Sequence, residues 1–231
     1  DSSKKTVLLY AHHDVQPVGD LSLWDTEPFN PVLKDGRLYG RGSGDNKAGV
    51  VVHYNVVKQL LNDLPVNIRI FIEGEEEIGS PTMSDFIEQN REALEADVIV
   101  IADSANVKIG VPTITTTLRG LVDGFIQVDQ PMRPVHSGMG GGVVPDAFMV
   151  LSKIIASFHD DKGNLQIEGL TPTDMNVAEL DESYTKKMLG SEEINLFDAE
   201  SISKRLWLEP ALDVLAIDAP PIKDAVNLVI P

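Results

Sequence analysis

The chain has 231 residues, 42% of them hydrophobic and 24% charged, an ordinary globular balance with enough apolar material for one large domain or two small ones. Its formal charge of −17 repels a nucleic-acid backbone or an anionic membrane and favours cationic partners such as metal ions. Cysteine is absent, which excludes disulfides, thiolate zinc sites and a cysteine nucleophile, so any metal must be held by His, Asp or Glu.

The apolar runs, such as residues 98–102, fall far short of the ~20 residues that a membrane-spanning helix needs, and neither a span nor a signal peptide is expected. The chain starts without Met just before an apolar strand and stops at Pro231 inside the run VNLVIP, so both ends are expected to be cut.

Residues 7–11, VLLYA, do not alternate with polar residues and read as a strand buried on both faces, ending at His12-His13-Asp14. A loop rich in turn formers follows, with Pro28, Pro31 and Asp35-Gly36, and leads through RGSGDNK to a periodic apolar stretch that predicts a helix over 48–61. Residues 66–72 are β-branched and predict the next strand, which runs directly into Glu73-Gly-Glu-Glu-Glu. A helix over 84–94 and a buried strand over 96–102, stopping at Asp103, complete the first half. This alternation predicts an α/β fold, a mostly parallel sheet covered by helices on both faces.

The pattern changes near residue 115, where a domain boundary is expected, giving domains over 1–115 and 116–231. Residues 118–129 mix Val122, Phe125, Ile126 and Val128 with polar neighbours and predict a strand with one wet face. Pro145-Asp146 opens an apolar helix to about residue 158, with proline at a helix start where its missing donor does no harm. Residues 170–200 predict short helices and loop, and 211–217 a late strand.

His12 with Asp14, Asp45, the run Glu75-Glu76-Glu77, and Asp103 all fall where a predicted strand or its connection ends, and the carboxyl ends of strands in open α/β sheets converge on the ligand crevice. His12 and Asp14 are two apart and share one side of an extended strand, which suits a ligating imidazole oriented by a neighbouring carboxylate. Each feature alone also has a bland reading: a structural His-x-Asp pair, a solvated acidic loop, a helix cap. Their joint placement argues otherwise, because carboxylates brought together without cations repel one another. Lys47 and Arg41 are too few to neutralise them.

Taken together, LYAHHDVQP at 9–17, WDTEPF at 24–29, DGRLYGRGSGDNKAG at 35–49, EGEEEIGS at 73–80 and HSG at 136–138 resemble the co-catalytic zinc peptidase family. That family includes cytosolic nonspecific dipeptidase, carnosinase, glutamate carboxypeptidase and succinyl-diaminopimelate desuccinylase. The resemblance covers nearly the whole chain in order. It implies that His12 and Asp103 bind a first metal, that Asp45 bridges two metals, and that Glu77 belongs to the second. It further implies Glu76 as the general base for a water held between the metals, Asp14 as the residue orienting His12, and a cis peptide between Asp45 and Asn46. His136 is implied as an oxyanion-stabilising residue, often acting across a dimer interface; by itself it also reads as a turn histidine packed beside the loop at 138–142. Ser137 lacks a nucleophile elbow, and the glycine loop lacks the Gly-Lys-Ser/Thr of a phosphate cradle.

Zinc is the implied metal, two ions per complete enzyme, with cobalt or manganese compatible with oxygen ligands and an imidazole. The implied partners are a dipeptide or an N-acyl amino acid and a second copy of the chain, a homodimer through a lid domain of α+β type in the second half, in the cytoplasm. Asp rather than Glu at 103 resembles the dipeptidase branch; an N-acyl amino acid deacylase or desuccinylase is the enzymatic alternative. The family's second metal takes a further His from late in the catalytic domain, and no His follows His159. These 231 residues alone are therefore expected to be inactive, and a metal-binding or dimerising module without catalysis is the third reading.

Overall fold

A computed structural model describes residues 1–130 and 133–229. The chain forms two compact units, residues 1–108 and 109–231.

The first unit is built on β1 (Thr6–His12). Two hairpin strands follow, β2 (Val32–Lys34) and β3 (Arg37–Tyr39), joined by Asp35 and Gly36 with φ of 51° and 75°. Both turn residues are left-handed, as a tight turn matching the strand twist requires. Helix α1 (Lys47–Leu60) leads to β4 (Asn67–Glu73), and α2 (Met83–Gln89) and α3 (Arg91–Leu94) lead to β5 (Val98–Ile101).

The sheet order is β4-β1-β5, with all pairs parallel. Register runs from Thr6 opposite Asn67 to His12 opposite Glu73, and from Val7 opposite Val98 to Tyr10 opposite Ile101. Because the strands are parallel, His12, Glu73 and Ile101 finish at one edge, and the loops that follow them leave from the same end. Helix α1 packs against β1, where His53 Nε2 lies 2.8 Å from the Tyr10 carbonyl. On the face that carries Leu8, Tyr10 and Phe71, the Phe71 ring stacks on Phe86 of α2 at 5.2 Å and meets Tyr10 edge-on at 5.7 Å. Leu8, Leu9 and Ala11 are buried and form the centre of this core.

The predicted α/β character and parallel sheet are present, and two elements of this unit differ from expectation. The strand expected to be buried over 96–102 is β5, whose four residues are 42–62% exposed, because it pairs on one side only and stands at the sheet edge. The helix expected over 84–94 breaks at Asn90, whose side chain donates to the Phe86 carbonyl at 2.8 Å and whose φ of −121° is not helical. Such local side-chain bonds compete with helix continuation.

The second unit pairs β6 (Val135–His136) with β7 (Leu228–Val229) in antiparallel register and contains α4 (Ser137–Gly140), α5 (Ala147–Ala156), α6 (Glu182–Met188) and α7 (Ile202–Trp207). Asp146, Asp181 and Ser201 cap α5, α6 and α7, each accepting from the amide three residues on. Ser203 is fully buried, and its Oγ accepts from the Leu180 amide at 2.7 Å. The strands expected over 118–129 and 211–217 are absent: both segments are irregular, and Leu118, Leu121, Val122 and Phe125 are 86–96% exposed. A strand needs a neighbour to satisfy its backbone ladder, and neither segment has one among the described residues.

No helix among the described residues is long and apolar enough to cross a membrane.

Candidate metal centre

The carboxyl end of the parallel sheet gathers four chain segments. His12 is the last residue of β1 and is only 1% exposed. Asp45 lies just ahead of α1, Asp103 two residues beyond β5, and Glu76 and Glu77 in a helical turn, Glu76–Ile78, directly after β4. That turn is closed by Gly79, which has φ of 82° and donates its amide to the Glu76 carbonyl at 2.9 Å. The peptide between Asp45 and Asn46 is cis.

His12 organises the cluster. Its Nε2 is 3.0 Å from Asp45 Oδ1, 3.7 Å from Asp103 Oδ1 and 3.8 Å from Glu76 Oε2. Donor atoms of His12, Asp45 and Asp103 all lie within 4.8 Å of one another. On the other side of the ring, Nδ1 is 3.2 Å from Asp14 Oδ1 and 3.2 Å from the Asp14 carbonyl. The second Asp14 oxygen accepts from the Glu77 amide at 3.0 Å, which ties the loop after β1 to the acidic turn after β4.

Glu77 stands beside this group: Gln16 Nε2 donates to its Oε2 at 2.8 Å and to its carbonyl at 2.9 Å. Behind the site, Asn46 donates through Nδ2 to Asp103 Oδ1 and, at 2.8 Å, to the Ala102 carbonyl. Lys47 directs its ammonium away, to the His13 carbonyl at 2.8 Å. The buried Glu73 accepts from the Tyr10 hydroxyl, and burial together with that bond raises the phenol's pKa.

The electrostatics follow from this crowding. Burial alone would lower the His12 pKa, but Asp103, Asp45 and Glu76 outweigh it and hold it above the ordinary imidazole value. Glu76 is raised, first by burial and then by Asp103, Glu77 and Asp45, against the pull of His12. Asp14 is lowered: burial opposes its charge, but the Glu77 amide and the His12 ring prevail.

These residues fit a divalent cation. One imidazole and two carboxylates converge with no Lys or Arg among them, and an orienting carboxylate stands behind the imidazole, a donor set suited to zinc, cobalt or manganese.

Of the residues predicted from sequence, His12, Asp14, Asp45, Glu76 and Asp103 meet directly, and Glu77 adjoins them through Asp14 and Gln16. His136 belongs to the second unit, where its Nδ1 accepts from the Gly138 amide at 3.0 Å and its Nε2 lies 3.4 Å from Asn227 Nδ2. Sequence reasoning passed over Gln16 and Asn46. Asn46 reads as an ordinary helix cap from its position, and nothing in the local sequence around Gln16 points to Glu77.

The chain is also similar to known proteins. The model of peptidase family M20/M25/M40 matches residues 8–214. The chain is 36% identical over 234 residues to a cysteinylglycine-S-conjugate dipeptidase of Corynebacterium striatum, covering 98% of this chain and 51% of that protein. It is 33% identical over 233 residues to human Beta-Ala-His dipeptidase, covering 94% of this chain and 46% of that protein. Among solved structures it resembles the M20 family metallo-carboxypeptidase Sso-CP2 from Sulfolobus solfataricus, with a TM-score of 0.73 and 30% identity, over 98% of this chain and 55% of that one. It thus spans about half the length of the curated relatives it matches. With a family match over most of its length, the chain belongs to peptidase family M20/M25/M40.

Proposed function

We propose that this chain carries the metal-binding site of a metal-dependent dipeptidase. The observation that carries the reading is the convergence of His12, Asp45 and Asp103 within 4.8 Å, with Glu76 at 3.8 Å from His12. The two curated relatives described above are both named dipeptidases, which supports a dipeptide rather than an N-acyl amino acid as substrate.

His12 and Asp103 would hold a first ion, Asp45 would be shared, and Glu77 would serve a second. Zinc is the proposed metal, two ions in the complete enzyme. When bound, such ions polarise a carbonyl and acidify water. The protein's own groups handle orientation and protons. Asp14 Oδ1 accepts a hydrogen bond from His12 Nδ1–H, which keeps that proton on Nδ1, fixes the tautomer and leaves the Nε2 lone pair facing Asp45 and Asp103. Glu76 is the general base: its Oε2 stands 3.8 Å from His12 Nε2, at the edge of the ligand cluster without being assigned as a ligand. Its Oε2 receives the proton from water and returns it to the leaving amine. Gln16 steadies Glu77.

In the second unit, His136 Nδ1 accepts from the Gly138 amide and its Nε2 faces Asn227 Nδ2 at 3.4 Å. His136 is proposed to stabilise a developing oxyanion, and the unit is proposed as the lid through which two copies pair. Among the described residues, the second ion would have only Asp45 and Glu77 in this reading, so the chain alone is proposed to turn over poorly.

The test compares hydrolysis of dipeptides with that of N-acetyl and N-succinyl amino acids by the metal-loaded full-length protein. Faster dipeptide cleavage is expected; faster deacylation would overturn the substrate assignment.

A further inference from the structure

Asn46 occupies the position immediately before α1, where an asparagine side chain ordinarily accepts a hydrogen bond from the first helical turn. It makes no such bond. The carboxamide is 3% exposed and turned the other way, towards the residues that follow β5. Its NH2 group faces two acceptors, the Ala102 carbonyl and Asp103 Oδ1, which settles the amide's orientation. Its own Oδ1 is buried with no hydrogen-bond partner among the described residues.

For packing alone this is a poor choice. A leucine of similar volume would fill the space without leaving a desolvated oxygen. What the asparagine supplies is the pair of N–H donors. One Nδ2 holds the end of the β5 backbone and the Asp103 carboxylate at once, and the same residue is joined through its backbone to Asp45.

The backbone is shaped to admit this bridge. A Cβ built on Gly49 would lie 2.1 Å from the Ala102 carbonyl and 2.2 Å from Asn46 Oδ1. Only glycine lets the first turn of α1 come so close to the end of β5.

We infer that Asn46 is a positioning residue: its buried carboxamide presets the Asp103 carboxylate against His12 and Asp45, so that a divalent cation finds its ligands already in place. This rests on the metal-site reading above and adds a residue that acts through a ligand without being one. Freed from Asn46, the Asp103 side chain gains rotamers, which the cation must then freeze on binding. Partners that orient ligands in this way are typically worth about tenfold to a hundredfold in metal affinity.

The test is a double-mutant cycle on the full chain, read by cobalt(II) affinity and by thermal midpoint without metal. His12→Ala comes first: if it leaves cobalt affinity unchanged, the metal-site reading itself fails, whatever Asn46 does. With that control passed, Asn46→Ala is expected to lower affinity about tenfold to a hundredfold in the native background and less than about threefold in an Asp103→Ala background. Asn46→Leu, which restores the volume, should behave as Asn46→Ala does. Unchanged affinity in the single variants, or an equal loss in both backgrounds, would overturn the inference. A second measurement needs no metal: the Asn46 side-chain amide protons, followed by 15N NMR, should exchange slowly in the native chain and faster in Asp103→Ala. Equal exchange rates would overturn it as well.

Discussion

Asp14 Oδ1 lies 3.2 Å from His12 Nδ1, on the opposite side of the ring from the nitrogen that faces Asp45. A carboxylate so placed accepts a hydrogen bond from Nδ1–H, which keeps the proton on that nitrogen and leaves Nε2 free to ligate. Replacing Asp14 with Ala should therefore weaken zinc binding about tenfold to a hundredfold without removing a ligand. Competition with a chromogenic chelator measures it; unchanged affinity would mean that the backbone carbonyl of residue 14 orients the ring unaided.

Glu76→Gln in the metal-loaded full-length protein removes a proton carrier and retains the side-chain shape. The expected loss is about a hundredfold to ten-thousandfold in kcat, with metal content unchanged. Elemental analysis alongside the rate decides between roles, since loss of metal in parallel with rate would make Glu76 a ligand.

Asp45→Ala should strip the site of metal, because one carboxylate is proposed to serve two cations. Equilibrium dialysis of the full-length protein gives the stoichiometry, and two ions retained would rule out the bridge.

Zinc uptake should weaken in acid. Burial opposes the charged His12 ring, but Asp103, Asp45 and Glu76 outweigh it and raise its pKa above the ordinary 6.5. In the metal-free fold the charged ring contributes stability that is fully present below the ordinary value and is lost as pH rises through the raised one. A cation competes with that same proton, so uptake improves over the window in which the proton's contribution fades. Calorimetry in buffers of different ionisation enthalpy should detect proton release on zinc binding at about pH 6 and much less at about pH 8; the reverse order would contradict the raised value.

Leu9→Ala tests the strand that carries His12. Leu9 is 6% exposed in the centre of β1. Its truncation should cost about 2–5 kcal/mol in a denaturant titration. A cost below about 1 kcal/mol would place the supporting core elsewhere.

The parts of this fold that could be read from sequence are those whose chemistry is local. β1 and β4 are short apolar runs, α1 has a clear apolar period, and the site residues sit just past strand ends, where a parallel sheet brings them together. What could not be read depends on partners distant in sequence. Residues 98–101 are as apolar as a central strand, yet β5 stands at an edge, because edge or centre is decided by strand order. Residues 118–129 have strand-like composition and no neighbour among the described residues to pair with. Asn90 splits a helix by bonding its own backbone, and Asn46 looks like a cap until its amide is found on Asp103. In the candidate site, the residues that converge could be singled out because several acidic residues and a histidine fall together at strand ends; the amides that touch them, Gln16 and Asn46, are ordinary in sequence.

The outer rim of β5 has a further effect. Val98, Ile99, Val100 and Ile101 present an uninterrupted aliphatic strip with one backbone side unpaired among the described residues, and no charge or proline interrupts it. Such a rim is a template for adding a foreign strand. Concentrated solutions of this polypeptide are therefore expected to clump by edge-on β-addition, and a lysine at position 99 is the simplest remedy to keep samples monodisperse.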